Sequence, residues 1–161
     1  GNIKVVGNYA ASLIADKQAH EEGFSAVLYL DAKDKKYIDE CGPANFFGIK
    51  GNTYITPKSS SILPSITNKS LMELALDMGM TIEQRPVHVD ELDEFDEVGA
   101  CGTAAVISPV KRIVDKAMGN EYNYCPDGNP GPISTKLYKR LKSIQYGDEQ
   151  DTFGWVTELD I

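Results

Sequence analysis

Short runs of β-branched and apolar residues alternate along this chain with stretches of good helix formers, and glycines mark the ends of many of them. That pattern predicts a mixed α/β (α+β) fold. The chain's 161 residues lie in the single-domain range, and no repeat period or low-complexity linker divides them. The reading is one domain spanning residues 1–161.

Taken in order, residues 3–6 form an apolar, β-branched strand that Gly7 and Asn8 break. A helix follows over residues 9–22, with apolar Ala11, Leu13, Ile14 and Ala15, and Gly23 suits its left-handed C-terminal position. Residues 27–30 and 36–40 read as strands joined by a polar stretch. Residues 45–49 and 53–56 read as a hairpin, because Gly51 and Asn52 accept the positive φ of a tight reversal and Pro57 ends the second strand. A serine-rich loop leads to a helix over residues 68–78, with Thr67 as its expected N-cap and Gly79 closing it. Residues 81–89 alternate as a strand, and residues 90–97 form a short, acidic, exposed helix. Gly99 and Gly102 bracket a turn before an apolar strand over residues 104–110. Residues 119–132 are a loop rich in Gly, Asn and Pro, and residues 133–143 form the last helix, with Ile133, Leu137 and Leu141 on one face.

Charge and composition exclude several functions. A formal net charge of -8 and a pI near 4.7 repel phosphate backbones and anionic lipid heads, so neither nucleic acid nor a membrane surface is an expected partner. The longest apolar runs, such as residues 104–107, fall far short of the roughly 20 residues that span a bilayer. The first residues carry no export signal pattern. Cys41, Cys101 and Cys125 are odd in number and widely separated, which fits reduced thiols, and a cytoplasmic location is the expectation. His20 and His88 lie in no ligand-spaced cluster, and the acidic residues from Asp90 to Glu97 lack the glycine and spacing of a calcium loop, so no metal is expected.

Four segments have chemistry to offer. Lys4-Val5-Val6-Gly7-Asn8-Tyr9 places an amine on a strand and a phenol at the helix start. Glu40-Cys41-Gly42-Pro43-Ala44-Asn45 sets a carboxylate at a strand end. Leu63-Pro64-Ser65-Ile66-Thr67 presents main-chain N–H groups and a hydroxyl at a helix N-terminus, whose dipole and unpaired donors suit a phosphate. Gly102-Thr103-Ala104-Ala105 is a small-residue turn whose backbone a second anionic group can approach. Each has an ordinary account when read singly: an edge-strand lysine, a solvated acid, a capped helix and a hairpin turn.

Together and in this order, the four segments resemble the fold type IV aminotransferases, and Lys4 to Tyr9 is similar to their branched-chain members. Ile144-Gln145-Tyr146-Gly147 and the acidic tail with Trp155 extend the resemblance to the chain's end, where it looks most like the larger bacterial enzymes. The resemblance implies the large carboxy-terminal domain of the D-amino acid aminotransferase-like fold, a pseudo-barrel of strands alternating with helices, and pyridoxal 5'-phosphate as cofactor. Lys4 would be the Schiff-base lysine and Tyr9 the partner of the cofactor's phenolic oxygen. Glu40 would face the pyridine nitrogen, Asn45 would join the cofactor set, and Leu63 would pack against the ring. Ile66, Thr67 and Thr103 would hold the phosphate, and Thr103, Ala104 and Ala105 would meet the substrate carboxylate. Many relatives have glycine where this chain has Val6 and Ser65, which predicts altered backbone or tighter packing at two turns. The Cys-x-x-Cys pair of the mammalian enzymes matches Ala105 and Ser108, so that redox control is not expected.

The implied reaction is transfer of an amino group between leucine, isoleucine or valine and 2-oxoglutarate. The partners implied are amino acid and 2-oxo acid substrates, a second subunit of a homodimer, and an amino-terminal domain that nothing in this chain matches. That domain would supply an arginine to the phosphate, so the chain is expected to be inactive alone. D-amino acid aminotransferase, aminodeoxychorismate lyase and a non-catalytic assembly domain remain as alternatives.

Overall fold

A computed structural model describes residues 3–159, with the side chains of Asn8 and Tyr9 outside the description. Residues 3–5 have no regular structure, so the expected first strand does not form. Val6–Ala10 is a single helical turn (α1), and Leu13–Glu21 forms α2. None of the described strands pairs with these residues, and an apolar, β-branched pattern makes a strand only where a neighbouring strand takes up its backbone groups. The helix expected over residues 9–22 is thus two pieces, and Gly23 takes φ +83 behind the second.

Seven strands build the main sheet: β1 (Leu28–Leu30), β2 (Ile38–Cys41), β3 (Ala44–Lys50), β4 (Thr53–Pro57), β5 (Thr81–Arg85), β6 (Glu97–Gly102) and β7 (Val106–Pro109). β3 is the hub. Residues 45–49 pair antiparallel with β6 along one edge, so β2 and β4 must share the other: β2 takes its start (Glu40 opposite Asn45) and β4 its end (Gly48 opposite Ile55). β4 and β5 run parallel, which requires a crossover, and helix α3 (Ile66–Asp77) provides it. β1, β5 and β7 each pair on one side only, so the described strands form an open, branched sheet and not the expected pseudo-barrel.

The β3 sequence Asn-Phe-Phe-Gly-Ile is apolar almost throughout, as a strand covered on both faces requires. Phe47 and Ile49 pack with Tyr54, Leu71, Leu74, Leu137, Leu141 and Ile144 beneath α3 and α4 (Pro132–Tyr146). Phe46 packs oppositely with Ile38, Ile55, Leu92, Phe95 and Val98. Two glycines make room for aromatic rings. A Cβ on Gly99 would sit 2.4 Å from the ring of its cross-strand partner Phe47, and one on Gly48 would sit 2.6 Å from the ring of Phe95.

Residues 97–102 are therefore a buried central strand, where the sequence pattern pointed to a helix end and a turn. Small residues at 99, 100 and 102 weaken any strand signal, yet they are what the facing rings need. The 3-10 helix Val89–Glu94 ends short of it, and β5 stops at Arg85, four residues before the expected end. Residues 112–123, left unassigned or read as loop, contain a separate hairpin of β8 (Arg112–Asp115) and β9 (Asn120–Asn123). Glu97, expected on an exposed helix, is buried, and its carboxylate accepts the N–H groups of Ile133 and Ser134, both at 2.8 Å. These are early amides of α4, whose N-cap Gly131 has no side chain to offer, so a distant strand caps the helix.

Candidate active site

The segment after β4 reaches α3 through Leu63, Pro64 and Ser65. Ser65, and not Thr67, is the N-cap: its φ of -84 is ordinary for a side-chain-bearing residue, and its Oγ accepts the Asn68 N–H at 3.1 Å. A glycine is thus not required there. Ile66 and Thr67 occupy the first two helical positions, where backbone N–H groups have no intrahelical acceptor. Ile66 is exposed and Thr67 half-buried.

Two cross-strand neighbours fix this segment. The Leu63 N–H donates to Glu40 Oε1 at 3.1 Å, and Asn45 Nδ2 donates to the Leu63 carbonyl at 3.0 Å. Glu40 and Asn45 are direct partners in the β2–β3 ladder, so one rung of the sheet holds both polar groups of one residue. Burial pushes the half-buried Glu40 carboxyl above its usual range, against the downward pull of the Leu63 N–H, and the charge of Asp39 adds to the rise.

Asn68, unremarked in the sequence, ties the helix start to the sheet. It is buried, accepts from Tyr54 Oη at 2.7 Å, and donates through Nδ2 to Thr56 Oγ1 at 3.0 Å, which donates on to the Phe46 carbonyl at 2.8 Å. The signal was its place on the buried stripe of α3 with Leu71 and Ala75, because a polar residue on such a stripe must find partners.

Four other expected site residues lie along a cleft of about 1190 Å³. Lys4, Thr103, Ala104 and Ala105 line it, together with Ala44 from β3 and residues of α2. Lys4, Thr103, Ala104 and Ala105 are all exposed. The turn that carries the last three ends at Val106, which is buried with φ +62, uncommon for a β-branched residue. Val6 is 88% exposed, so the predicted tighter packing there does not occur. The side chain of Tyr9 lies outside the described residues. The structure therefore assembles two groups: Glu40, Asn45, Leu63, Ile66 and Thr67 around the start of α3, and Lys4, Thr103, Ala104 and Ala105 on the cleft wall. β3 joins them, since Asn45 belongs to the first and its neighbour Ala44 lines the cleft. Among the described residues no three His, Cys, Asp or Glu side chains converge as metal ligands, and no helix is long and apolar enough to cross a membrane.

The Haemophilus influenzae branched-chain-amino-acid aminotransferase is 46% identical over 99% of this chain and 48% of its own length. The Helicobacter pylori enzyme of the same name is 47% identical over 99% of this chain and 46% of its own length. Among solved structures, the T.th. branched-chain amino acid aminotransferase superposes with a TM-score of 0.83 at 29% identity, over 98% of this chain and 50% of that one. This holds for its complexes with N-(5'-phosphopyridoxyl)-L-glutamate and with 4-methylvaleric acid. The chain spans about half the length of these relatives. The amino-transferase class IV family model matches residues 2–113. The chain accordingly belongs to the class IV aminotransferases and is a homologue of the branched-chain-amino-acid enzymes.

Proposed function

We propose that this chain is the cofactor-carrying part of a branched-chain amino acid aminotransferase, exchanging an amino group between leucine, isoleucine or valine and 2-oxoglutarate in the cytoplasm. The observation that carries the reading is the pairing of Glu40 with the helix-start segment: one carboxylate holds the loop whose next residues offer unpaired amides to an anion. The donor set suits pyridoxal phosphate. Ile66 and Thr67 offer main-chain donors and a hydroxyl to its phosphate, joined by the Thr103 hydroxyl. Glu40 offers a partially desolvated carboxylate to its ring nitrogen, and Leu63 an apolar side chain to its ring. The phosphopyridoxyl adduct in the T.th. structure supports that choice.

When bound, pyridoxal phosphate supplies the electron sink for the breaking Cα–H bond. The chain's own residues do the rest. Lys4 would hold the cofactor through Nζ, and the same amine would be the base for the substrate's Cα proton. Glu40 would hold a proton on the ring nitrogen, and Tyr9 would donate to the phenolic oxygen. The backbone at Ala104 and Ala105 receives the substrate carboxylate. Lys4 and Thr103 stand exposed on an open cleft, so water competes for every hydrogen bond there. The family's amino-terminal domain and a second subunit of a homodimer would close it, and the chain alone would not turn over.

Borohydride reduction of the full-length protein loaded with pyridoxal phosphate, followed by peptide mapping, tests the anchor. Label is expected on Lys4, and label on another lysine with Lys4 unmodified would overturn the assignment. Turnover of L-leucine against D-alanine separates the branched-chain reading from a D-amino acid enzyme.

A further inference from the structure

The double hold on Leu63 does more than close a loop. Asn45 is 6% exposed, and its Nδ2 donates to a main-chain carbonyl, so that the side chain is committed there to the protein's own backbone. Its ladder partner Glu40 takes the N–H of the same residue. A residue gripped at both polar groups cannot shift along the loop, or turn either of its two peptides, without straining or breaking one of the two bonds. The segment is fixed again two and five residues on, where Ser65 caps Asn68 and Asn68 joins Tyr54 and Thr56.

We propose that Asn45 is a positioning residue: by holding the Leu63 carbonyl it keeps the Leu63 N–H on the Glu40 carboxylate, and so fixes the acid and the start of α3 as one unit. The inference rests on the cofactor reading for its consequence but not for its test. If Asn45 is removed, the Leu63–Pro64 peptide loses its anchor, the peptide before it is left on the Glu40 bond alone, and the Leu63 N–H spends less time on the carboxylate. That N–H favours the charged carboxylate, so its loss favours the neutral acid. The other charge bearing on Glu40 from its own strand is Asp39, whose carboxylate is occupied by the hydroxyls of Ser59 and Ser61.

The experiment uses the 161-residue chain as parent, Asn45→Ala and Asn45→Asp, each first shown to be folded by amide NMR. Two cofactor-free readings are taken: the carbon-detected titration of the Glu40 carboxyl and the hydrogen-exchange protection of the Leu63 amide. Asn45→Ala should move the Glu40 midpoint upward and strip Leu63 of protection. Asn45→Asp is the isosteric control, which keeps the packing if the truncation does not fold. At low pH its introduced carboxyl is protonated and donates to the Leu63 carbonyl, restoring protection, and at high pH it is ionised and cannot. A merely structural residue would not give protection that switches with pH in the Asp variant alone. An unchanged Glu40 midpoint in Asn45→Ala, or Leu63 protection in Asn45→Asp that ignores pH, would overturn the proposal. Pyridoxal phosphate titrated into the full-length parent and Asn45→Ala provides the separate arm. Roughly tenfold weaker binding in the variant, about the worth of one hydrogen bond, is expected. No binding by the parent would sink the cofactor reading while leaving the clamp to the NMR result, whereas equal binding by both proteins would sink the clamp's role at the site.

Discussion

The two flanks of the proposed site are built in opposite ways. On the Glu40 side, side chains from β2, β3, β4 and α3 meet in bonds that are buried or half-buried, and the helix start is fixed to the sheet. On the Lys4 side, residues 3–5 are irregular, α2 buries none of its residues, and Ile3, Val6, Leu13 and Ile14 are each at least 65% exposed. The difference teaches which half of the site this chain can organise unaided. The sheet fixes the Glu40 carboxylate and the start of α3, the groups proposed for a ring nitrogen and a phosphate, whereas residues 3–5 take no regular structure and α2 buries none of its residues.

The sharpest way to break that comparison is to attack the sheet where it carries the most. Glu97→Ala removes the acceptor for two early amides of α4 and leaves Ile133 and Ser134 N–H groups without that partner. Each orphaned donor costs about 1–3 kcal/mol, so a loss of roughly 3 kcal/mol is expected in urea unfolding. Glu97→Gln retains one acceptor and should lose clearly less. Equal losses for the two variants would mean that packing, and not capping, is what Glu97 provides. Gly131 bears on the same point, because a Cβ there would lie 2.0 Å from the Glu97 carboxyl carbon.

Gly99→Ala should cost somewhat less, about 1–3 kcal/mol, since the Phe47 ring must move and it is fully buried in the core. Pairing it with Phe47→Leu tests the cause. If the glycine exists to seat the ring, the alanine penalty should shrink when Phe47→Leu is already present, and an unchanged penalty would place the strain elsewhere.

Much of this was legible in the sequence. Alternation and glycine punctuation located β1 to β4, α3 and α4 within a few residues, because each is a local pattern whose apolar face must be buried. Glu40, Leu63 and Thr103 were legible only as members of an ordered set, since each has an ordinary explanation alone. What escaped was non-local. β6 is a strand because Phe47 and Phe46 lie beside it in space, and its small residues read locally as a turn. Glu97 looked like one more surface acid because the first amide it caps is 36 residues away. Asn45 and Asn68 carry no sequence mark of which carbonyl or hydroxyl they will find. The strand expected at residues 3–6 failed for the converse reason: the local pattern was present, and none of the described strands pairs with it.

A smaller effect separates the β1–β2 turn from the sheet it feeds. The Asp31 carboxylate accepts the N–H groups of Asp34, Lys36 and Tyr37, which hold its acid down at about 2. Because the folded value lies below the ordinary one, the stabilisation is present above the ordinary carboxylate range and is lost as pH falls towards 2. Exchange protection of the Lys36 and Tyr37 amides should therefore decay over that window. Protection that persists well below that value, or that is unaffected by Asp31→Ala at neutral pH, would show the turn to be held by its backbone alone.

The smallest expected effect is the most discriminating between the two flanks. Leu13 and Ile14 open α2, stand 65% and 72% exposed, and take no part in either core cluster. Replacing both with serine removes apolar surface that folding of this chain does not bury, so its unfolding free energy should change by no more than about 0.5 kcal/mol. In the full-length protein the outcome should differ if that surface meets the remaining half or a second subunit. There the same pair of substitutions would weaken the assembly, measured as a lower association constant by analytical ultracentrifugation, and pyridoxal phosphate affinity would fall with it because Lys4 is carried on the same arm. A clear destabilisation of the 161-residue chain would contradict the comparison, since it would mean that the amine-bearing arm already packs on the domain. No change in either form would leave the arm's exposed residues without a structural task, and the closure proposed for the cleft would have to come from elsewhere.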